Sequence, residues 1–258
     1  MTIRIEIDGR AATADRLAVA ALGQYGHFTA MQVRGAAVRG LDLHLTRLAT
    51  ANRELFGTPL DPDTIRSHIR HALGSETRDA SVRVYVQESP TGGLYTMVTV
   101  RPPGDMPDTA QRLVSVPYQR SIAHVKHTGD FGQGYYGRLA ERQEYDEALL
   151  TTPDGVISEG SITNIGFFTG AEIVWPDAPM LAGVTMQLLE RHLPKAGLPA
   201  LRRQVRLTDL PGFRAAFVTN SRGIAPVRQI DETVIPADHG LMSTLYAIYA
   251  SVPWDTFD

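Results

Sequence analysis

Lys126 in VKHTG is a residue that could carry covalent chemistry, and Glu159 in SEGSITNIGFF follows it in the chain. A lysine amine is protonated and inert near neutral pH, and it becomes a nucleophile or base only where burial or nearby positive charge makes the neutral amine available. Lys126 lies between a short apolar stretch and a glycine turn with few acidic neighbours, which is consistent with burial. Taken alone, the same residue would more readily be interpreted as a surface lysine.

The glycines of GQGYYG, residues 132–137, match the dinucleotide-binding pattern G-x-G-x-x-G. That pattern binds a pyrophosphate when it follows a buried strand and opens a helix in a parallel unit. Here the preceding residues, KHTGDF, are polar, and the acidic Asp154 at a suitable distance lies in a hairpin turn. We therefore interpret these glycines as a flexible turn before a helix and predict no dinucleotide site.

Other catalytic patterns are weaker still. The chain has no cysteine and no G-x-S-x-G, which excludes thiolate chemistry and leaves a nucleophile elbow unsupported. Two H-x-x-H pairs occur, His68 with His71 and His124 with His127. The first pair lies on a polar helix face and the second has no acidic third ligand nearby, so we predict no metal site.

Composition limits the classes of partner. The chain has 258 residues, a formal net charge of −3 and 43% hydrophobic residues, which is ordinary for a globular enzyme. Lysines and arginines are spread along the chain rather than clustered, so nucleic acid is not the expected partner. The apolar run LAVAALG is too short to cross a bilayer, and MTIRIEIDGR is not typical of a signal peptide. We therefore expect a protein of the cytoplasm without a membrane partner.

The hydrophobic pattern predicts an α+β fold with many hairpins. Alternating residues in TIRIEIDGRAA indicate a hairpin, and GHFTAMQVRGAAVRG indicates a strand pair turning at Arg34 and Gly35. Helices are predicted in LDLHLTRLATANRELFG, PDTIRSHIRHALG, YGRLAERQEY, GVTMQLLERHLPKAG and HGLMSTLYAIYASV. Strands are predicted in ASVRVYVQES, GLYTMVTVR, DEALL, IGFFTGAEIVW and RAAFVTNSRGIAPVRQID, with turns at 90–93, 153–155 and 169–170.

The proline-rich RPPGDMP indicates a linker somewhere in residues 103–121. We place a smaller N-terminal α/β domain at residues 1–115 and a linker at 116–122. A larger, strand-rich C-terminal domain then occupies residues 123–258.

Four segments, in the same order, resemble the class IV aminotransferases, the fold-type IV enzymes dependent on pyridoxal 5′-phosphate. They are HFTAMQVRGAAVRGLDLHLTRL, VKHTG with the following YDEALLTTPDGVISEGSITNIGFF, MLAGVTMQLLE, and FVTNSRGIAPVRQID. Each segment is moderate support on its own. Their order over most of the chain makes an accidental match improbable.

The resemblance implies a role for each matching residue. Lys126 would form the Schiff base with the cofactor, and Glu159 would face the pyridine nitrogen and keep it protonated. Arg47 in HLTRL would hold the phosphate through a bidentate guanidinium. The remaining cofactor-binding residues implied are Val184 and Thr185 at a helix start, and Asn220 and Ser221 in a turn. Thr163 and Asn164 would shape the turn after Glu159 rather than touch reacting atoms.

Two departures from the family pattern concern substrate binding. Thr29 stands where relatives commonly carry an acidic residue, and RPPGDMPDTAQ replaces a loop that carries arginine and histidine in relatives with a carboxylate trap. Arg34 and Arg101 are the candidates for binding the substrate carboxylate.

The resemblance implies transfer of an amino group from an amino acid or primary amine to a 2-oxo acid, by a homodimer. The alternative is a lyase of the aminodeoxychorismate lyase type that releases pyruvate, since the pair Lys126 and His127 resembles that subgroup. A non-catalytic protein that binds the cofactor is a third reading, and an intact Lys126 and Glu159 pair argues against it.

Overall fold

The computed structural model describes residues 3–23, 25–89 and 92–258, and the chain divides into two units. Unit 1 consists of Met1–Gly104, Val125–Gly129 and Pro253–Asp258. Unit 2 consists of Asp105–His124 and Asp130–Val252. The predicted linker, residues 116–122, lies within unit 2. The division into domains at residues 1–115 and 123–258 stays a prediction.

Unit 1 contains an antiparallel sheet of five strands in the order β2-β1-β5-β4-β3. Its strands are β1 Arg4–Ile7, β2 Arg10–Ala11, β3 Gly26–Val33, β4 Ala80–Glu88 and β5 Leu94–Arg101. Its helices are α1 Ala14–Leu22, α2 Leu41–Phe56 and α3 Pro62–Leu73. The predicted turn between β4 and β5 includes residues 90 and 91, which lie outside the described residues.

The sheet and two helices of unit 1 share one apolar core. Alternate residues of β4 are buried, and they pack with one face each of α2 and α3. Asp61 caps α3 by accepting hydrogen bonds from the backbone of Asp63 and Thr64 at 3.2 and 3.1 Å. Gly57 ends α2 in the left-handed conformation that glycine adopts without steric penalty. These signals explain why both helices lie where the pattern predicts them.

Unit 2 contains a sheet in the order β11-β10-β9-β12-β13-β6-β7-β8, with β14 paired to β13. Its strands are β6 Gln111–Val116, β7 Glu147–Thr151, β8 Ile157–Gly160, β9 Asn164–Phe168, β10 Ile173–Pro176, β11 Ala200–Arg203, β12 Ala215–Asn220, β13 Gly223–Ile230 and β14 Thr233–Val234. Its helices are α4 Phe131–Arg142, α5 Val184–His192 and α6 His239–Ser251.

The core of unit 2 explains its nearly continuous apolar strands. The pairs β6 with β7, β13 with β6, and β10 with β11 are parallel, and the other pairs are antiparallel. One apolar cluster packs α5 and α6 against the sheet, and another contains Phe167 and Phe213. Strands covered on both faces need apolar residues at consecutive positions. This unit therefore supplies a rigid frame for its loops.

The α+β prediction is confirmed, with three local corrections. The glycines of GQGYYG lie inside α4 rather than in a turn before it, and Tyr118 packs so closely at Gly132 that a Cβ there would overlap its ring. The second strand pair is one strand, β3, followed by a single bridge between Arg34 and Ala37. The stretch 103–121 contains a strand, β6, that the pattern did not indicate.

Candidate active site

Backbone pairing places Lys126 beside β3 in unit 1. The Phe28 amide donates to the Lys126 carbonyl at 2.8 Å, and the Thr128 amide donates to the Gly26 carbonyl at 2.9 Å. Lys126 is half-buried, and its Nζ lies 4.8 Å from the centroid of the Phe28 ring. An amine over an aromatic face is held electrostatically in a partly desolvated position. The contact therefore fixes the position of the amine beside β3.

Arg83 and Tyr85 also lie near the Phe28 ring, and neither was identified from the sequence. The rings of Phe28 and Tyr85 stack with centroids 5.1 Å apart. The Arg83 guanidinium lies 5.8 Å from the Phe28 centroid and donates to the Tyr85 hydroxyl at 3.3 Å. The alternation of β4 could have placed both side chains on one face, but it could not show that Lys126 joins that face.

Arg47 lies half-buried on α2, one turn after a buried histidine. His44 Nδ1 and Thr29 Oγ1 are 2.7 Å apart in a buried hydrogen bond that joins α2 to β3. Burial, with a smaller effect of the Arg47 charge, lowers the pKa of His44 to about 3. His44 is therefore neutral at physiological pH, and Thr29 bonds a neutral ring.

A second buried histidine joins the same two elements. His27 Nε2 lies 3.4 Å from Asn52 Oδ1, and Asn52 donates to the Thr58 carbonyl at 2.8 Å. Burial lowers the pKa of His27 to about 4, although the hydrogen bond to Asn52 acts in the opposite direction. The element that carries Arg47 is thus attached to β3 by two neutral, buried histidines.

Glu159 lies buried near the end of β8 in unit 2. Its Oε1 accepts from Arg120 at 3.2 Å and its Oε2 accepts from the Leu181 amide at 3.2 Å. Arg120 is also buried, and it donates to the Ala123 carbonyl at 2.9 Å. The guanidinium offsets the desolvation of the carboxylate. The sequence did not indicate Arg120, because it belongs to a loop with no periodic pattern.

Val184 and Thr185 form the first turn of α5, as predicted. The Thr185 hydroxyl donates to the Asn220 carbonyl at 2.6 Å, which joins the helix start to the turn between β12 and β13. Ser221 follows in that turn. The structure thus brings together the two segments of unit 2 that the resemblance assigned to the phosphate.

Asn164 fixes the segment that precedes α5. Its Nδ2 donates to the Leu181 carbonyl at 2.7 Å, and its Oδ1 accepts from the Gly183 amide at 3.1 Å. A Cβ on Gly183 would overlap Asn164 Oδ1, which explains the glycine at this position. Asn164 and Glu159 therefore both hold residues 181–183.

The residues of unit 2 suit an anionic ligand. The first turn of α5 offers backbone amides at the positive end of a helix. The cap residue, Gly183, has no side chain that could accept hydrogen bonds from them. The buried hydroxyl of Thr219, adjacent to Asn220, has no hydrogen-bond partner among residues 3–23, 25–89 and 92–258. Hydroxyl and amide donors around a helix start are the donor set that a phosphate accepts from.

The two candidate carboxylate-binding arginines lie in unit 1. Arg34 donates to the carbonyls of Val33 at 3.1 Å and Gly104 at 3.3 Å. Arg101 lies exposed at the end of β5, opposite Ser81 in the strand register. The predicted residues of unit 1 are therefore Arg34, Arg47, Arg101 and Lys126, whereas Glu159, Val184, Thr185, Asn220 and Ser221 belong to unit 2.

The histidine pairs take part in other contacts. His71 Nδ1 lies 2.6 Å from Glu6 Oε2, and His127 forms a bridge with His27. Within the described part of the chain, no group of three histidine, cysteine, aspartate or glutamate residues could hold a metal ion. The described helices include none with the length and apolar character needed to cross a membrane.

Comparison with known proteins gives the family. A sequence model of the family amino-transferase class IV matches residues 26–230, which include Lys126, Glu159 and the start of α5. The chain belongs to the class IV aminotransferases. Enzymes of this family depend on pyridoxal 5′-phosphate, and the donor set described above fits that cofactor. A search of curated proteins found none that matches the chain.

Solved structures show the same fold as this member of the family. A branched-chain aminotransferase from the archaeon Thermoproteus uzoniensis has a TM-score of 0.85 and 19% identity, over 96% of this chain and 93% of that chain. A hypothetical aminotransferase from Mycobacterium tuberculosis, solved with pyridoxal 5′-phosphate, has a TM-score of 0.84 and 18% identity, over 97% and 98%. A putative 4-amino-4-deoxychorismate lyase from Legionella pneumophila has a TM-score of 0.81 and 18% identity, over 91% and 93%. The fold is therefore that of the fold-type IV enzymes.

Proposed function

We propose that this protein transfers an amino group from an amino acid or primary amine to a 2-oxo acid, with pyridoxal 5′-phosphate bound covalently to Lys126 Nζ. The observation that carries the proposal is the position of that amine, half-buried and 4.8 Å from the centroid of the Phe28 ring. Lys195, by contrast, is exposed.

Lys126 would also move the proton. When bound, the cofactor supplies electron withdrawal from the substrate Cα through its pyridine ring. Lys126 Nζ would take the proton from Cα as a base and give it back as an acid, which requires an amine that is neutral part of the time.

Glu159 would hold the proton on the pyridine nitrogen. Its carboxylate is fixed from two sides, by Arg120 and by the Leu181 amide. A buried carboxylate with fixed partners does not reorganise during the reaction, so it can accept a hydrogen bond from the ring nitrogen without moving. Arg120 is a positioning residue in this proposal, because it acts through Glu159.

The phosphate would be held by the residues that the resemblance assigned. The amides of Val184 and Thr185 open α5, Asn220 and Ser221 form the neighbouring turn, and Arg47 supplies a guanidinium. The helix amides would orient the phosphate, and the arginine would balance its negative charge.

The substrate carboxylate would be bound by an arginine of unit 1. Arg34 and Arg101 remain candidates, and we add Arg83 because its guanidinium lies over the same ring as Lys126 Nζ. Anion binding close to the amine would orient the substrate Cα.

Spectroscopy distinguishes transfer from elimination. The loaded protein is mixed with candidate amino donors and no 2-oxo acid, and its absorption spectrum is recorded. Stoichiometric conversion of the cofactor to pyridoxamine 5′-phosphate, with release of the 2-oxo acid, supports amino transfer. Repeated turnover of aminodeoxychorismate to pyruvate without that conversion would instead establish the lyase, the function suggested by the similarity to the Legionella structure.

We propose that the protein acts as a homodimer in the cytoplasm. Unit 2 exposes apolar side chains, with Phe131 85% and Ile162 65% exposed. Large exposed apolar side chains close together are typical of association surfaces. Gln133 of α4 donates to the Ser161 carbonyl at 3.2 Å, which brings the neighbours of Phe131 and Ile162 together.

A further inference from the structure

Glu147, on β7, is a buried carboxylate with no part in the chemistry described above. It is 7% exposed. Its Oε1 accepts from the Ile162 amide at 2.7 Å and from the Ser161 hydroxyl at 3.4 Å, and its Oε2 accepts from the Thr163 hydroxyl at 2.9 Å. Burial raises the pKa of Glu147 to about 7, against the opposite effect of these hydrogen bonds. Such a group lowers stability unless it is well bonded.

The three donors belong to one turn, residues 161–163. This turn joins the end of β8, which carries Glu159, to the start of β9, which begins at Asn164. Gly160 has no side chain at the point where a Cβ would overlap Glu147 Oε1 and Thr163 Oγ1. The carboxylate is thus packed against the turn and holds three consecutive residues of it.

Asn164 extends this arrangement to the start of α5. It bonds both the Leu181 carbonyl and the Gly183 amide, and Gly183 is the residue before the first turn of that helix. A displacement of the turn would move Asn164 and, with it, residues 181–183. Glu147 and the helix start are therefore linked through a short series of hydrogen bonds.

We propose that Glu147 is a positioning residue for the phosphate-binding end of α5, acting through the turn 161–163 and Asn164. This inference rests on the proposed function, because it takes the first turn of α5 as the place where the cofactor's phosphate binds. The acceptor oxygens of Glu147, rather than its charge, hold the turn.

Two substitutions separate acceptor oxygens from volume. Glu147→Met keeps a side chain of similar length and removes both acceptors, which leaves the buried donors of residues 161–163 without an acceptor, so the thermal midpoint should fall. Glu147→Gln keeps an acceptor for the Ile162 amide. Glu141→Met, at an exposed position of α4, is the matched control.

Amide hydrogen exchange of the full chain without cofactor is the first measurement. Glu147→Met should exchange faster than the parent both at residues 161–164 and at residues 181–185, while Glu147→Gln and Glu141→Met resemble the parent. Faster exchange confined to 161–164 would overturn the link to α5. If Glu147→Met does not fold, Thr163→Val removes one donor of the turn and should show the same two regions more weakly.

Binding of two forms of the cofactor is the second measurement. Glu147→Met should bind pyridoxal 5′-phosphate roughly tenfold more weakly and bind pyridoxal, which lacks the phosphate, as the parent does. Adding Asn164→Ala to Glu147→Met should weaken binding by less than the product of the two single effects. Equal losses for both cofactor forms, or no loss, would refute the inference and leave the proposed function standing. A parent protein that binds no pyridoxal 5′-phosphate would refute both.

Discussion

Lys126 and Lys195 are the two lysines of this chain, and their surroundings differ. Lys126 is half-buried against an aromatic ring, whereas Lys195 is exposed in a short 3₁₀ helix. Borohydride reduction of the loaded protein should therefore fix a phosphopyridoxyl group on the peptide that contains Lys126, and Lys126→Ala should abolish this labelling. Peptide mass spectrometry is the measurement. A label on Lys195 in the parent protein would remove the basis of the assignment.

Glu159 is predicted to affect both rate and stability. In Glu159→Gln, a neutral amide cannot keep the ring nitrogen protonated, so proton removal from the substrate Cα should slow by orders of magnitude. The same change leaves Arg120 buried without its carboxylate, and breaking a buried pair in this way typically destabilises by about 3–5 kcal/mol. Single-turnover kinetics and urea unfolding measure the two effects.

A comparison with Arg120→Met separates these two effects. That variant should lose stability without removing the carboxylate from the ring nitrogen, so its rate should fall less than that of Glu159→Gln. Unchanged turnover in Glu159→Gln would mean that Glu159 serves only to hold Arg120 and Leu181.

Arg47 is predicted to contribute affinity rather than chemistry. Arg47→Ala removes a charge-assisted contact, which is worth about 1.5–3 kcal/mol, so affinity for pyridoxal 5′-phosphate should fall roughly ten- to a hundredfold. Excess cofactor should restore much of the activity, and it should not restore Lys126→Ala. Equilibrium titration of the protein without cofactor is the measurement. Arg53→Ala, at an exposed position of the same helix, is the control. Equal affinities of Arg47→Ala and the parent would place the phosphate site elsewhere.

The contact between β3 and α2 should make unit 1 sensitive to acid. The pKa of His27 is about 4 and that of His44 about 3, below the ordinary 6.5, because both rings are buried. The unfolded chain therefore binds more protons than the folded chain between these values, so stability is complete above pH 6.5 and falls as the pH decreases toward 4. At pH 5 the loss is about 2 kcal/mol for each histidine.

Urea unfolding at pH 7 and pH 5 measures this loss. His27→Asn and His44→Asn should each remove about half of the difference between the two pH values, whereas the exposed His239→Asn should leave it unchanged. An equal pH dependence in all four proteins would show that other groups control acid stability.

How far the sequence predicts the structure depends on the range of the interaction. Helices α2 and α3 were predictable, because periodicity and the capping residues Asp61 and Gly57 are local signals. Strand β6 was missed because its partners are far away in the chain and prolines precede it. The glycines of α4 misled the prediction, since Gly132 is needed for contact with Tyr118 and not for a turn.

The residues of the candidate site also fall into those that local sequence identifies and those that only long-range contacts identify. Lys126, Glu159 and Thr185 lie in recognisable motifs, so the resemblance could name them from the sequence alone. Arg83 and Arg120 could not be named, because each becomes relevant only through a partner brought close by folding, Phe28 for one and Glu159 for the other. Glu147 could not be identified from the sequence for the same reason.

In solution, the proposed homodimer should have roughly twice the mass of its 28.2 kDa chain. Phe131 and Ile162 are large apolar side chains exposed on unit 2, and burial between two copies would stabilise the pair. Sedimentation equilibrium measures the mass, and the double change Phe131→Ser with Ile162→Ser should weaken the association. A parent protein that sediments as a single chain at micromolar concentration would contradict the proposed homodimer.

Residues 253–258 belong to unit 1, although the whole of unit 2 lies between them and Met1–Gly104, the first segment of unit 1. Val38 and Asp255 exchange backbone hydrogen bonds of 2.9 and 2.7 Å, the Asp255 carboxylate accepts from the Leu41 amide at 3.0 Å, and Phe257 lies in the core with α2 and α3. During synthesis on the ribosome, the amino-terminal segment therefore lacks these contacts until residues 253–258 have emerged from the exit tunnel. Each unit is therefore encoded by more than one stretch of the gene.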